Sequence, residues 1–317
     1  MNGLVIKSTG NAYLVRMDDG KDLECHIKGN FRIRGIRSTA PVAVGDIVEV
    51  EMLPDGTNWI REVCTRRNYI IRRSTNLSHE SHILAANLDQ VLLLVTLKHP
   101  ATSTTFIDRF LATAEAYRVP VVLVFNKIDM LSPDEMQELN ELSALYKSIG
   151  YSTMAISASM LADQPDKMAE LSGLLAGKVT LLSGNSGVGK STLLNALFGS
   201  SVTRTGRISD AHDKGMHTTT FSAMYSLDPI VGADSSWLID TPGIKGFGGV
   251  DMSKREVSHY FREIFRIGRE CRYDDCLHSN SGCGCAVYDA VVRGEIALSR
   301  YESYLSLLGD AEEQKYR

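Results

Sequence analysis

The chain has 317 residues, of which 44% are hydrophobic and 23% charged, a composition typical of two or three globular domains and unlike that of a disordered protein. The formal net charge of −4 excludes a uniformly basic nucleic-acid-binding protein, so any RNA contact needs a local patch. No apolar run approaches the roughly 20 residues that span a bilayer. The N-terminus lacks a signal-peptide pattern, so we expect a cytoplasmic protein with no membrane contact.

Residues 1–72 contain five short strand-like runs, at 4–6, 12–15, 23–27, 47–50 and 59–63, separated by turn signals. Five strands in about 70 residues favour a small β-barrel, with the OB-fold as the leading candidate. Basic residues lie between the third and fourth runs and at the exit of this module. They are Lys28, Arg32, Arg34, Arg37, Arg61, Arg66, Arg67, Arg72 and Arg73. This pattern indicates either an RNA-binding surface or an ordinary solvated one.

Residues 73–248 have the pattern of an α/β nucleotide-binding domain. A polar stretch at 74–80 is interpreted as a linker, and apolar runs at 88–96 and 121–125 predict buried parallel strands around a helix at 107–117. The second strand ends in Asn126-Lys127-Ile128-Asp129. In guanine nucleotide sites the carboxylate of this motif accepts hydrogen bonds from the base, Asn126 braces the loop and the Lys127 stem lies over the base. The alternative is a helix start capped by Asp129.

Two further segments complete this interpretation. Ser157 and Ala158 follow another strand-like run, and a main-chain N–H there can reach the guanine O6, although a plain strand exit has the same pattern. A G-x-x-x-x-G-K-S loop stands between an apolar strand and a helix start, which is the context of a phosphate-binding loop. Its residues are Gly184, Asn185, Ser186, Gly187, Val188, Gly189, Lys190, Ser191 and Thr192. Lys190 can reach the β- and γ-phosphates, and Ser191 can bind Mg²⁺.

The order of the motifs indicates a circular permutation. The Asn126–Asp129 motif precedes the phosphate loop, whereas most guanine-nucleotide proteins have the reverse order. The site needs its loops together in space, in any sequence order. In the later half, Thr219 is favoured over its neighbours to complete the Mg²⁺ shell. Asp240 can hold a Mg²⁺ water and the Gly243 N–H can contact the γ-phosphate, although a solvated loop is the alternative at 218–220.

Ile244 stands where a water-orienting glutamine is expected, and isoleucine cannot do that work. Intrinsic hydrolysis is therefore expected to be slow, or another group must place the water. His217 is the best candidate in this chain, acting as a neutral imidazole, and the alternative is an ordinary loop histidine.

Residues 249–317 predict a small helical module that is held together by metal. Apolar residues have helical spacing at 257–267. They are followed along the chain by Cys271, Cys276 and His278, and further on by Cys283 and Cys285. Three thiolates and one imidazole suit a structural tetrahedral Zn²⁺, and the spacing alone does not separate Cys283 from Cys285 as the fourth ligand. Further helices are expected at 286–292 and 295–308, with a break at Arg293-Gly294.

Together these parts resemble the ribosome small-subunit-dependent GTPases of the RsgA family over essentially the whole chain. The resemblance rests on the β-rich N-terminus, Asn126-Lys127-Ile128-Asp129 ahead of the phosphate loop, Asp240-Thr241-Pro242-Gly243 and the cysteine knuckle. It implies an OB-fold RNA-binding domain (1–72), a circularly permuted GTPase domain (73–248) and a zinc-binding helical domain (249–317). It also implies late maturation of the 30S subunit, with contacts to 16S rRNA and subunit-stimulated hydrolysis of GTP to GDP.

The resemblance implies Cys285 as the fourth zinc ligand because Ala286-Val287 follow it, while Cys283 stays possible because the gap from His278 is one residue longer than usual. Met216 stands where the family often has arginine. We expect a monomer. The competing hypothesis is a GTP-dependent rRNA-binding sensor with negligible turnover, which Ile244 supports. An ATP-using kinase is disfavoured because Asp129 selects guanine.

Overall fold

The computed structural model describes residues 1–9, 12–27, 41–73, 81–199, 223–240, 252–279 and 284–313. In those ranges no helix combines the length and the apolar character that crossing a bilayer requires. The linker predicted at 74–80 and the basic residues Lys28, Arg32, Arg34 and Arg37 lie outside the described residues.

The five predicted N-terminal strands form a barrel. They are β1 (Asn2–Ser8), β2 (Tyr13–Met17), β3 (Asp22–Cys25), β4 (Ile47–Met52) and β5 (Asn58–Val63). β1 pairs with both β2 and β4, and its register with β2 shifts between Val5 and Lys7. Main-chain hydrogen bonds from His26 N to Asn58 O (2.9 Å) and from Ile60 N to His26 O (2.8 Å) close β3 against β5. This closure gives the five-stranded barrel of an OB-fold, as predicted.

Arg66 does not belong to an RNA-binding surface, which corrects the interpretation of the basic cluster at this point. Its guanidinium is buried, pairs with the buried Asp46 at 2.6 Å and donates to the Pro41 carbonyl at 2.8 Å. Arg61 and Arg67 remain exposed. The local pattern could not separate them, because the partner that buries Arg66 lies 20 residues away.

A hairpin that the sequence analysis missed follows the barrel. Its strands, β6 (Tyr69–Arg73) and β7 (Ser81–Ala86), pair antiparallel, so the polar stretch at 74–80 connects two paired strands. Ile70 and Ala85 are buried with Val44 from the barrel and Leu88 from the start of the next strand. The hairpin therefore packs in the core between the barrel and the central domain.

The central domain is a mostly parallel sheet with helices on both faces. Its strands are β8 (Gln90–Val95), β9 (Val121–Phe125), β10 (Ser152–Ala155), β11 (Val179–Gly184), β12 (Ala223–Ser226) and β13 (Trp237–Asp240). The spatial order is β10-β9-β8-β11-β13-β12, in which β12 alone among these described strands is antiparallel to its neighbour. Its helices are α1 (Thr104–Ala116), α2 (Pro133–Ser148), α3 (Pro165–Leu175), α4 (Lys190–Phe198) and α5 (Asp228–Val231).

Alternate residues of β8 belong to two different cores. Leu93 packs with Ile107 of α1 and Leu139 of α2, whereas Leu92 packs with Leu171 of α3 and Leu193 of α4. The continuous apolar run predicted for this strand follows from that double burial. Loops at the carboxyl edge of the sheet are thereby set on a rigid scaffold.

The barrel and the central sheet share one edge. Lys7 of β1 pairs with Ala223 of β12, so the two sheets join into one continuous sheet. Arg16 of β2 lies over the ring of Trp237 in β13, with 5.6 Å between the guanidinium and the ring centre. The strands that meet the barrel are those that flank the segments predicted as switches.

The C-terminal module is helical, as predicted, but its first helix is divided. It contains α6 (Lys254–Val257), a 3₁₀ turn (Ser258–Tyr260), α7 (Arg262–Gly268), α8 (Ala286–Val292) and α9 (Leu298–Glu313). The continuous helix expected at 257–267 is wrong because Phe261 is extended, with φ −112° and ψ 100°. Its ring is buried beneath Tyr304, with which it makes an edge-on contact at 5.5 Å. The break expected at Arg293-Gly294 is present.

Candidate nucleotide site and metal centre

The motifs that the sequence separates meet at one edge of the sheet. Residue registers align Gly184 with Leu94, Leu182 with Asp240, and Val95 with Phe125. Strands β8, β9, β10, β11 and β13 run parallel, so their carboxyl ends lie on the same side. This is the edge at which open α/β sheets bind ligands.

Glycines let the phosphate-binding loop pass close to its neighbours. Gly184 has φ +144°, and a Cβ there would lie 2.4 Å from the Leu94 carbonyl oxygen. Gly189 has φ +101°, and a Cβ there would lie 2.3 Å from Nδ2 of Asn126. Any larger residue would displace main chain at the first position and the bracing amide at the second.

Lys190 begins α4 and turns back over the loop. Its ammonium donates hydrogen bonds to the carbonyl oxygens of Gly184 (2.6 Å) and Asn185 (2.8 Å). Burial lowers the pKa of Lys190, and the Asp240 carboxylate opposes that change. The ammonium thus lies within the curve of the loop, where P-loop proteins hold the terminal phosphates. Asp240, at the end of β13, is buried close by.

Asn126 joins three loops through one buried side chain. Its Nδ2 donates to the Val188 carbonyl at 2.8 Å, and its Oδ1 accepts from the Ala158 main-chain N–H at 2.9 Å. Its own main-chain N–H donates to the Val95 carbonyl at 2.8 Å. The structure therefore brings together the 126–129 motif, the 157–158 segment and the phosphate loop, although 62 residues separate Asn126 from Val188.

The other residues of the 126–129 motif are fixed by neighbouring loops. The Ser157 hydroxyl donates to an Asp129 carboxylate oxygen. Lys127 adopts φ +64°, and its ammonium donates to the His99 carbonyl. Ile128 N donates to the Ile156 carbonyl at 3.3 Å. These contacts fix the Asp129 carboxylate against Ser157 and the Lys127 ammonium against the His99 carbonyl.

A loop at 96–103 also belongs to this site, and sequence reasoning missed it. Pro100 lies next to Gly187, its Cδ 3.3 Å from where a Cβ of that glycine would be. The Thr96 hydroxyl donates to the Pro100 carbonyl at 2.5 Å, and His99 accepts from Lys127. The available signal was its position directly after the buried strand β8, because a loop at that end of a parallel strand lies at the ligand edge.

Part of the predicted site lies outside the described residues, namely His217, Thr219, Gly243 and Ile244. Ser191 and Thr192 are exposed in the first turn of α4. Asp240 ends the strand that leads to Gly243. The described residues thus carry the loops predicted to bind the base and the predicted phosphate loop.

A second cluster, in the C-terminal module, suits a metal ion. The ligand atoms of Cys271, Cys276, His278 and Cys285 all lie within 4.8 Å of one another. A tetrahedral shell with zinc–sulfur bonds of about 2.3 Å separates its sulfurs by roughly 3.8 Å, so this set fits Zn²⁺ without large rearrangement. Cys283 lies outside the described residues.

The chemistry of this cluster also favours a cation. Burial raises the pKa of Cys285 to about 12, and the neighbouring thiols Cys276 and Cys271 act in the same direction. Burial lowers the pKa of His278, which keeps its imidazole neutral as a ligand must be. Tyr301 and Tyr304 donate to the carbonyls of His278 (2.7 Å) and Leu277 (2.6 Å) and so fix the ligand loop.

Comparison with known proteins identifies the family of this chain. The family profile described as RsgA GTPase matches residues 63–249, and the profile described as RsgA N-terminal domain matches residues 2–60. The small ribosomal subunit biogenesis GTPase RsgA of Phocaeicola vulgatus is 56% identical over 319 residues, which covers 100% of this chain and 99% of that protein. The RsgA 2 protein of Bacteroides thetaiotaomicron is 55% identical over 317 residues, with the same coverage.

Two solved structures have the same architecture. YjeQ from Thermotoga maritima superposes with a TM-score of 0.73 at 32% identity, covering 98% of each chain. YloQ, described as a circularly permuted GTPase, superposes with a TM-score of 0.73 at 26% identity, covering 100% of this chain and 96% of its own.

Proposed function

The chain belongs to the RsgA GTPase family, and from this premise we propose that it hydrolyses GTP to GDP and phosphate in the biogenesis of the small ribosomal subunit. The names of the full-length relatives support a role in the biogenesis of the small ribosomal subunit. The similarity to YloQ, a circularly permuted GTPase, supports GTP hydrolysis. The observation that carries the proposal is the Asn126 side chain, which links the base-binding loops to the phosphate loop.

Guanine is read by the Asp129 carboxylate. It accepts from the N1–H and the exocyclic amine of the base, a pair of donors that adenine lacks, and a wrong base leaves the carboxylate unpaired. Ser157 orients this carboxylate, and Lys127 is held by the His99 carbonyl so that its stem can cover the base. The Ala158 segment supplies the main-chain N–H for the guanine O6.

Phosphates are held by the main-chain N–H groups at 184–192 and by the Lys190 ammonium. Ser191 would bind Mg²⁺ directly and Asp240 would bind it through water, and the ion would supply charge neutralisation at the β- and γ-phosphates. Thr219 completes this shell in the GTP state, and the Gly243 N–H contacts the γ-phosphate. The exposed first turn of α4 leaves Ser191 accessible to the nucleotide.

Hydrolysis needs a group that positions water, and Ile244 cannot serve. We assign this role to His217, which acts as a neutral imidazole on the attacking water. Subunit binding then raises turnover, and release follows when GTP has become GDP.

Cys271, Cys276, His278 and Cys285 would hold one structural Zn²⁺, which would tie the 271–278 loop to the start of α8. Contacts with the 30S subunit and its 16S rRNA are made by the barrel and by the C-terminal module. The protein acts in the cytoplasm, because its partner is the ribosomal subunit, and it acts as a monomer without a membrane partner.

A second candidate is a GTP-dependent rRNA-binding sensor with negligible turnover. It is favoured by Ile244, which removes the usual water-orienting side chain. Asp129 would still select GTP in such a protein, and occupancy alone would control RNA affinity.

Steady-state GTP turnover, measured with and without purified 30S subunits, tests the proposal. We expect slow hydrolysis by the protein alone and strong stimulation by 30S subunits, with little stimulation by 50S subunits as the control. Turnover that 30S subunits leave unchanged would favour the sensor.

A further inference from the structure

A cleft of about 360 Å³ lies beside the metal cluster. We call it the knuckle cleft. One wall comes from α6, the 3₁₀ turn and α7, and the other from the loop that carries Cys271, Cys276 and His278. The side chains that matter for its chemistry are Arg255, His259, Phe265, Arg269 and Tyr273.

Two aromatic rings at this cleft are exposed. Phe265 is 37% exposed and Tyr273 56% exposed, which is unusual for large rings in a module with a small core. Each ring has a guanidinium over it, Arg269 at 4.7 Å from the centre of Phe265 and Arg272 at 5.6 Å from the centre of Tyr273. His259 also packs edge-on against Phe265, with 5.0 Å between the ring centres. A guanidinium on one face of the more exposed Tyr273 ring leaves the other face for a flat apolar partner.

The charge around the cleft suits a polyanion. Arg255, Arg266, Arg269 and Arg272 are all exposed, and within the described ranges none of them forms a salt bridge. Arg255 and Arg269 line the cleft, and Arg266 and Arg272 are neighbours of lining residues in the sequence. Guanidinium groups recognise phosphate oxygens through paired donors, so these arginines offer donors to a phosphate backbone.

Two carboxylates also line the cleft, at Asp274 and Asp275. They would repel phosphate or an acidic peptide inside the cleft. They are, however, suitable acceptors for the amino and imino groups of a nucleobase, since an ionised carboxylate only accepts hydrogen bonds. The cleft lining therefore offers guanidinium donors to phosphate and carboxylate acceptors to a base.

We propose that the knuckle cleft binds an unpaired nucleotide of single-stranded RNA, with the base stacked on the exposed rings and the phosphates on the arginines. This inference rests on the proposed function, because it names a subsite for rRNA in the C-terminal module. Single-stranded RNA meets this chemistry because its bases can leave the stack, whereas duplex bases cannot.

Fluorescence anisotropy with labelled oligocytidine RNA and the full-length, metal-loaded chain tests the proposal. Replacing both rings (Phe265→Ala with Tyr273→Ala) should weaken RNA binding about tenfold or more, the usual effect of losing base stacking. Replacing Arg269 and Arg272 with alanine should weaken binding and reduce its salt dependence. Matched controls are Leu298→Ala, an exposed apolar residue of the same module outside the cleft lining, and Lys147→Ala on α2; both should bind like the wild type.

Base chemistry gives a second readout. Oligocytidine should bind more tightly than oligouridine, since cytosine has an amino donor at C4 where uracil has a carbonyl, and the N3–H of uracil stands between two carbonyls that a carboxylate repels. In the double variant Asp274→Asn with Asp275→Asn, the affinities for oligocytidine and oligouridine should become more similar.

Wild-type RNA affinity in the double aromatic variant would overturn the proposal, as would equal competition by duplex RNA. Wild-type RNA affinity combined with lost 30S stimulation would mean that the cleft binds a ribosomal protein, which also overturns it. Weakened RNA binding in a chain whose GTP turnover ignores 30S subunits would support the cleft and contradict the proposed function.

Discussion

At the scale of single residues, the site depends on Asn126, which is 2% exposed and satisfies two main-chain groups of other loops. We expect Asn126→Ala to weaken GTP binding at least about tenfold. The Val188 carbonyl and the Ala158 N–H would be left unpaired, and each such buried group costs about 1 to 3 kcal/mol. Titration with a fluorescent GTP analogue measures the effect. Asn140→Ala, an exposed asparagine on α2, should bind as the wild type does; an equal loss in both variants would contradict this role.

His217 is the residue to which we assign water positioning. His217→Ala should abolish 30S-stimulated hydrolysis and leave GTP affinity unchanged, because the imidazole acts on water and not on the bound nucleotide. Single-turnover hydrolysis with saturating 30S subunits separates chemistry from binding. Full stimulated turnover in this variant would exclude the assignment.

The motif residues could largely be predicted from the sequence, whereas the residues that hold them in position could not. Asn126 and the 184–192 loop follow from short patterns whose chemistry fixes the residue types. The His99 carbonyl and Pro100 contribute main chain or shape, which many sequences can supply, so no pattern marks them. Arg66 shows the converse, since its charge predicted exposure and a distant carboxylate buried it.

At the scale of elements, a buried ionic network attaches the C-terminal module to the central domain. Arg300 of α9 is 1% exposed and donates to Asp108 of α1 at 2.8 Å and to Glu263 of α7 at 2.6 Å. Tyr146 of α2 donates to the same Asp108 oxygen at 2.8 Å. The two helices that bear Asp108 and Tyr146 cover one face of the sheet, so the module is fixed against that face.

Arg300→Met should lower the free energy of unfolding by about 3 to 5 kcal/mol, because two carboxylates would stay buried without their cation. Urea unfolding of the full chain measures this change. Arg293→Ala, which breaks an exposed ion pair with Glu295, should have no measurable effect. Equal stability of Arg300→Met and the wild type would show that the network is dispensable.

The geometry of the metal centre predicts which of Cys283 and Cys285 is the fourth zinc ligand. Cys285→Ser should lose bound zinc and destabilise the module, because Cys285 lies in the four-ligand cluster and also accepts from the Tyr288 N–H at 3.4 Å. Cys283→Ser should retain one zinc per chain. Elemental analysis of both purified variants decides the matter, and the reverse pattern would make Cys283 the ligand.

Element positions were predicted well where one face or both faces of an element are buried. Strands β8 and β9 and helix α8 fall where the apolar patterns indicate. The division between α6 and α7 was not predicted, since it depends on Phe261 packing against Tyr304, 43 residues further along the chain. Arg300 was equally inaccessible, because its partner Asp108 is 192 residues away.

At the scale of the whole molecule, the barrel is continuous with the strands around the nucleotide site. β1 pairs with β12, which follows the 200–222 segment, and Arg16 lies on Trp237 of β13, which ends at Asp240. If β12 or β13 moves when the bound nucleotide changes, the barrel strands that contact them should therefore shift as well. The order of motifs indicated the permutation, but this contact between domains had no sequence signal, because it involves main-chain pairing of short strands.

The nucleotide site also belongs to the scale of the whole molecule, because we propose that two distant segments in permuted order form one guanine nucleotide site. Dissociation constants of the Asp129→Asn variant for GTP and for xanthosine triphosphate test it most directly, with Asp166→Asn, an exposed position on α3, as the control. We expect GTP binding to weaken about a hundredfold or more, since two charge-assisted hydrogen bonds are lost. Xanthosine triphosphate should bind more tightly than it does to the wild type, because its C2 carbonyl can accept from the new amide. Unchanged affinity for GTP in Asp129→Asn would show that the 126–129 segment does not bind the guanine base.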